Sequence, residues 1–224
     1  MSSEGDFLKL LGRPDLPQDL LEEILQSRDA RKLHTVRRAL AAHPRTPRHA
    51  ALSLVSTLYW RDLARISADS RVHPEVRRAA DRDIARRLPE MALSERVDLA
   101  RCAGRGTILS LRFDHDPRVL AAVLNNRFTT EPDVVQVAAR RQTPPAALEA
   151  IAGHPQWGLR PALRSTLLRN PALPRAVALS LLSRASASDL EGIIQSPSIS
   201  RLVKACAERY ILERNNPDSH FRFR

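Results

Sequence analysis

The chain has 224 residues, of which 43% are hydrophobic, 27% are charged and only 4% are aromatic, and its formal net charge is +11. A hydrophobic fraction of this size excludes a wholly disordered chain, and the scarcity of aromatic residues and of glycine disfavours a β-sheet protein. No uncharged apolar stretch approaches the roughly 20 residues that cross a bilayer, and the first residues lack the pattern of a secretory signal. The composition predicts a soluble, all-α protein.

The positive charge is unevenly distributed along the chain. Residues 1–30 contain seven acidic and three basic residues and carry a net charge of −4, which leaves +15 for the remainder. Nearly all of the cations are arginines. A basic body behind an acidic segment indicates either an anionic partner or an N-terminal segment that packs against its own body.

Prolines, glycines and apolar periodicity predict a series of short helices. In chain order the predicted helices span residues 18–27, 32–42, 47–68, 74–88, 94–103, 107–112, 117–125, 132–140, 144–152, 159–169, 174–183, 189–195 and 199–213. The first has an apolar face and an acidic face, as expected of a helix that caps a stack of helices. We therefore expect an acidic capping segment (1–30), a helical body (31–214) and a flexible tail (215–224).

Two segments of the helical body align with each other without a gap. Residues 36–56 and 163–183 are identical at about half of their positions, a third copy covers residues 134–151, and fainter copies begin at residues 73, 116 and 131. Self-similarity of this kind is typical of repeat proteins. The matched positions include Arg37/Arg164, Leu40/Leu167, Pro44/Pro171, Pro47/Pro174, Arg48/Arg175 and Leu52/Leu179.

Each copy has the features of two short helices joined by a rigid turn. A helix ends at His43 because the residue before a proline is pushed out of the helical region. Thr46 then caps the next helix, and Pro47 occupies its first turn, where the missing N–H has no cost. The second helix has an apolar stripe formed by Ala51, Leu54, Val55 and Leu58.

This pattern, a helix, then (N/H)-P-x-T/L-P, then a helix with a central leucine, resembles the leucine-rich repeat variant and HEAT-like families. The resemblance is clearest over residues 33–58 and 118–182. It implies a right-handed α-solenoid of stacked helical pairs that serves as a scaffold for macromolecular contact. Leucine-rich repeat variant proteins can also carry a cysteine cluster for an iron–sulfur centre, but this chain has no such cluster, so no metal centre is carried over.

The sequence offers little support for catalysis. His43, His73 and His154 each precede a proline, a position that the turn explains, and the run from Asp114 to Pro117 has the features of a loop and a helix start. No metalloprotease, nucleophile-elbow, phosphate-loop or dinucleotide-binding motif is present. We therefore predict a non-enzymatic protein with no catalytic residue, cofactor or metal.

The two distant cysteines indicate a reducing, cytoplasmic compartment.

Arginines supply the candidate binding residues. Arg78, Arg82 and Arg86 recur at i, i+4 and i+8 on one predicted helix face, where Asp81 and Asp83 can neutralise them only in part. A solvated face with intrahelical ion pairs explains the same pattern. Arg48 and Arg175 each lie in the first turn of a predicted helix, which indicates anion sites at these helix N-termini. Shared repeat ancestry also explains both arginines. The candidate anion- or partner-binding residues are Arg48, Arg77, Arg78, Arg82, Arg86, Arg160, Arg164 and Arg175.

Two tryptophans allow one further comparison. HEAT-like alkylpurine DNA glycosylases use Trp, Asp and Arg on a basic concave surface, and Trp60, Asp62, Trp157 and Arg160 are similar in composition only. The alternative is that both tryptophans pack in the core or between repeats.

We expect a scaffold that binds an acidic protein surface through arginines. The alternatives are sequence-nonspecific nucleic-acid binding and, less favoured, a HEAT-like DNA glycosylase. No membrane partner is predicted, and the oligomeric state stays open. Residues 221–224 (Phe-Arg-Phe-Arg) are either a short binding element or a frayed end.

Overall fold

A computed structural model describes residues 3–197 and 199–215 of the chain. Within this part the chain forms sixteen α-helices, one short 3₁₀ segment and no β-strand, so the all-α prediction is confirmed. The helices are α1 (Glu4–Leu11), α2 (Gln18–Gln26), α3 (Arg28–Lys32), α4 (His34–Ala42), α5 (Arg48–Val55), α6 (Trp60–Ala68), α7 (Pro74–Arg87), α8 (Leu93–Cys102), α9 (Arg105–Leu111), α10 (Pro117–Leu124), α11 (Glu131–Ala139), α12 (Pro145–Gly153), α13 (Pro161–Arg169), α14 (Arg175–Leu182), α15 (Ala187–Gln195) and α16 (Arg201–Asn215). The predicted tail, residues 215–224, lies outside the described residues except for Asn215, which ends α16.

The described residues divide into two compact units. Unit 1 contains α1–α9 and the short segment 126–128, and unit 2 contains α10–α16. In both units a helix can pack on the next helix and on the one after it, as α4 does on α5 and α6 and α13 does on α14 and α15, whereas α1 packs on α4. None of the helices in the described part is long and apolar enough to cross a membrane.

The single helix predicted for residues 47–68 is wrong, because the chain divides there into α5 and α6. The hydroxyl of Thr57 donates to the carbonyl of Leu54 (2.7 Å), and the backbone N–H of Leu58 bonds three residues back (3.1 Å), so the α5 ladder ends. Tyr59 is extended (φ −75°, ψ 154°) and precedes α6. Hydroxyls that bond nearby carbonyls compete with helix in this way, and apolar periodicity does not reveal it.

Two short helices, α1 and α3, are missing from the predicted set. Ser3 and Asp6 form a capping box at the start of α1: the N–H of Ser3 donates to the Asp6 carboxylate (2.8 Å), and the N–H of Asp6 donates to the Ser3 hydroxyl (3.3 Å). The hydroxyl of Ser27 likewise accepts the N–H of Ala30 (3.3 Å) at the start of α3. The five residues of α3 are too few for apolar periodicity to predict a helix, whereas α1 has eight residues and its capping box is a local signal that the prediction did not use.

The residue that ends a helix also holds the following turn with its side chain. Asn170 donates from Nδ2 to the carbonyls of Ala138 (2.6 Å) and Arg140 (3.0 Å), and its Oδ1 accepts the N–H of Ala172 (2.9 Å). His43 has the same position after α4, and its ring contacts a carbonyl 30 residues earlier (2.9 Å). The turn is therefore fixed by these hydrogen bonds as well as by the proline that follows.

Four consecutive helices recur later in the chain with nearly the same bounds. The helices α4, α5 and α6 correspond to α13, α14 and α15 at both ends with a shift of 127 residues, and α7 corresponds to α16 at its first residue. The packed pairs recur as well, since α5 and α6 contact α7 in unit 1, and α14 and α15 contact α16 in unit 2. The similarity therefore extends beyond the two aligned segments, through the last helix of each set.

Candidate functional site

The helix α7 presents arginines on its outer face because its inner face is apolar. Val76, Ala80 and Ile84 are buried against the neighbouring helices. His73 caps the helix by accepting the N–H of Glu75 on its ring Nδ1 (3.2 Å). Positions two residues from the buried stripe point to solvent. We call Arg78, Arg82 and Arg86 the α7 arginine face.

The two aspartates of α7 pair with only one of the three arginines of this face. Asp81 accepts hydrogen bonds from the hydroxyls of Ser67 (2.6 Å) and Thr107 (2.7 Å), which belong to α6 and α9. Asp83 is buried and forms ion pairs with Arg86 and Arg87. Within the described part of the chain, Arg78 and Arg82 therefore have no acidic partner.

An open groove lies beside the α7 arginine face, between α5 and α7. Its α5 side is formed by Leu52, Val55 and the adjoining Ser56, and its α7 side by Ala79, Arg82, Asp83 and Arg86. The floor of the groove is thus mainly apolar, and the exposed guanidinium groups of Arg82 and Arg86 lie at one edge. An apolar floor with a cationic rim suits an amphipathic ligand that carries acidic groups.

The corresponding helix α16 has a different charge pattern on the equivalent outer face. Arg209 occupies the position of Arg82 but forms an ion pair with Glu213 (2.7 Å), which replaces Arg86. Ala205 stands where α7 has Arg78. The helix therefore packs in this arrangement without an unpaired arginine face.

Arg87 and Arg214, in contrast, have the same structural role in both units. Arg87 donates to the carbonyls of Leu58 (2.9 Å) and Ser56 (3.4 Å), which the break between α5 and α6 leaves without helical partners. Arg214 donates to the carbonyls of Ala185 (2.7 Å) and Ser183 (3.3 Å). Arg87 therefore belongs to the packing of the fold and not to the α7 arginine face.

The two first-turn arginines differ in their surroundings. Arg48 begins α5 and forms an ion pair with Glu75 (2.8 Å). Arg175 begins α14, is exposed and has no ion-pair partner among the described residues. Leu202 holds the position in α16 that Glu75 holds in α7, which explains the difference. The Arg48 guanidinium is therefore already paired with a carboxylate of the same chain.

The other three candidate arginines are less accessible or already paired. Arg77 is half-buried and adds a favourable charge near Asp69, whose pKa lies below its usual value mainly because Arg71 donates hydrogen bonds to it. Arg160 lies 3.9 Å from Glu131. Arg164 has a side chain only 14% exposed and faces an aspartate of α15 at 3.9 Å. The structure thus leaves Arg78, Arg82 and Arg175 as the exposed, unpaired members of the predicted set within the described residues.

The two tryptophans belong to different units, and each makes its hydrogen bond within its own unit. Trp157 is 4% exposed and donates from Nε1 to the carbonyl of Leu124 (2.8 Å), so the core-packing interpretation is confirmed for it. Trp60 is half-buried and donates to Glu95 (3.1 Å). Asp62 is only 7% exposed, so neither the Trp157 ring nor the Asp62 carboxylate lies on an open surface.

Sequence analysis missed a polar cluster around Asp62. Its carboxylate contacts the ring Nε2 of His34 (2.5 Å) and the guanidinium of Arg38 (3.4 Å), and the ring of Tyr59 stacks on His34 with centroids 4.4 Å apart. His34 lies 28 residues before Asp62, so no local motif connects them. The cluster holds α4 against α6.

Comparisons with known proteins give no family for this chain. Protein-family models, curated proteins and solved structures were all searched, and none of them matches it. In the described part of the chain, no group of three or more His, Cys, Asp or Glu side chains is arranged to hold a metal ion. The functional argument therefore depends on the arginines and the groove beside them.

Proposed function

We propose that the protein is an α-solenoid of the leucine-rich repeat variant or HEAT-like type and acts as a non-enzymatic scaffold in the cytoplasm. The recurrence of α4–α7 as α13–α16 supports the repeat architecture, since each set packs its helices in the same pairs. The free thiols of Cys102 and Cys206 suit a reducing compartment.

The proposed partner is an acidic segment of another protein that binds the α7 arginine face and the groove between α5 and α7. The observation that carries this proposal is the pair of exposed, unpaired guanidinium groups on Arg78 and Arg82. Fold stability does not require them, because α16 packs in the same way with Ala205 and the Arg209–Glu213 ion pair at the corresponding positions. Arginines that the fold does not need are available for a partner.

The groove favours a protein segment over a nucleic acid. Leu52, Val55 and Ala79 give it an apolar floor, and the Asp83 carboxylate in its lining is already paired with Arg86 and Arg87. A phosphate backbone has no apolar groups to bury against this floor, so it would use only the arginines. An amphipathic acidic helix can place leucines on the floor and glutamates against the arginines.

Fluorescence anisotropy with three labelled probes tests this proposal. The probes are an amphipathic Glu/Leu helix of about 20 residues, a poly-glutamate peptide of the same charge, and a short DNA duplex. We expect the Glu/Leu helix to bind tightest, with an affinity that falls as salt rises from about 0.05 to 0.5 M. Tighter binding of the duplex, or equal binding of both peptides, would contradict the proposal.

A further inference from the structure

A second groove lies between α1 and α2, at the acidic end of unit 1. Phe7, Leu10, Leu20 and Ile24 give it an apolar lining, and Glu23, Ser27 and Asp29 complete its rim. Leu20 is 40% exposed, which is unusual for a leucine on the apolar side of an amphipathic helix. The apolar side of α2 is therefore only partly covered within the unit.

The rim of this groove is negative. Glu23 is exposed and has no ion-pair partner among the described residues. Asp29 lies 3.6 Å from Lys32, but both side chains are more than 70% exposed, so the pair contributes little and can exchange partners. The groove thus requires an occupant that combines apolar and cationic side chains.

One segment of the chain has this chemistry. Residues 221–224 read Phe-Arg-Phe-Arg and contain two of the five phenylalanines in the sequence. In an extended segment, alternate side chains point to opposite sides. Both phenylalanine rings could then enter the groove between α1 and α2, while the long arginine side chains turn back to the carboxylates at its rim.

We propose that the groove between α1 and α2 binds residues 221–224 of a second copy of this chain. Each copy offers one groove and one segment, so the contact joins two different surfaces and can continue from copy to copy. The interface is small, so the association is weak and reversible. This self-association is independent of the partner proposed for the α7 arginine face.

A mixing experiment with two full-length variants tests this inference. One variant carries Phe221→Ser with Phe223→Ser and keeps its groove, and the other carries Leu20→Glu and keeps its segment. We expect the unaltered chain to gain mass with concentration in sedimentation equilibrium, and each variant alone to stay monomeric. An equimolar mixture should form dimers and nothing larger, because each partner then has only one working surface.

A charge exchange keeps the test meaningful if either variant is poorly folded. Glu23→Arg should weaken self-association by about tenfold, which corresponds to about 1.4 kcal/mol, and Arg222→Glu in the same chain should restore most of it. An unaltered chain that stays monomeric at every accessible concentration would overturn the proposal. Association that persists in the two variants, or a charge exchange without rescue, would also overturn it.

Discussion

At the residue scale, arginine has two distinct roles in this protein. Arg87 and Arg214 bind backbone carbonyls that a helix break leaves open, and Arg112 forms an ion pair with the buried Asp133 at 2.9 Å. Arg78 and Arg82 are exposed and have no acidic partner in the described part. Substitution of the first group should therefore affect stability, and substitution of the second should affect binding.

Arg87→Ala should lower the free energy of unfolding by about 2 kcal/mol, because two carbonyls lose a charged donor. Arg86→Ala is the matched control: its side chain is 73% exposed, so we expect a loss below about 0.5 kcal/mol. Urea denaturation followed by circular dichroism measures both values. Equal losses in the two variants would show that the carbonyl contacts of Arg87 add nothing to stability.

Gly106→Ala should destabilise the protein by about 1–3 kcal/mol through overpacking. A Cβ at this position would lie 2.5 Å from Cγ of Asp81, whose carboxylate is held in place by two hydroxyl donors. Gly153→Ala is the control, because nothing lies within 4 Å of its Cβ and alanine favours a helix by about 0.5–1 kcal/mol. Thermal unfolding midpoints should therefore shift in opposite directions, and a shared direction would contradict the packing described around Asp81.

At the scale of elements, helix boundaries depend on side chains that bond the backbone. Asp116 was expected to start α10, and it does so by accepting the N–H of Arg118 (2.9 Å). The break between α5 and α6 was not expected, because the carbonyls it exposes are satisfied by Arg87, which lies 29 residues beyond Leu58. Local signals thus predict most helix starts, but they do not predict a helix break that a distant side chain stabilises.

Asn170→Asp should destabilise unit 2 by at least about 2 kcal/mol. The substitution replaces the Nδ2 donor with a carboxylate oxygen that faces two carbonyls in a buried site. Asn125→Asp is the matched control, since Asn125 is exposed and donates to a single carbonyl (2.9 Å). Comparison of the two thermal midpoints checks the prediction, and a similar small shift in both would contradict the role given to Asn170.

At the scale of the whole molecule, the count of 36 Lys and Arg residues overstates the number of cations that a partner can meet. Many arginines are held in pairs, such as Arg71 with Asp69 (2.8 Å) and Arg118 with Asp116 (3.0 Å). The sequence identified the spacing of the α7 arginine face, because helical periodicity is local. It could not show that Asp81 turns towards Ser67 and Thr107, since that depends on how α6, α7 and α9 pack.

The central claim is that the α7 arginine face, and not the general positive charge, binds the acidic partner. Affinity of the Glu/Leu helix probe for two charge-reversed variants, Arg82→Glu and Arg209→Glu, tests it most directly. Both variants change the net charge equally, and the two positions correspond in α7 and α16. We predict about tenfold or greater weakening for Arg82→Glu and little change for Arg209→Glu. Equal weakening by both variants would contradict the claim.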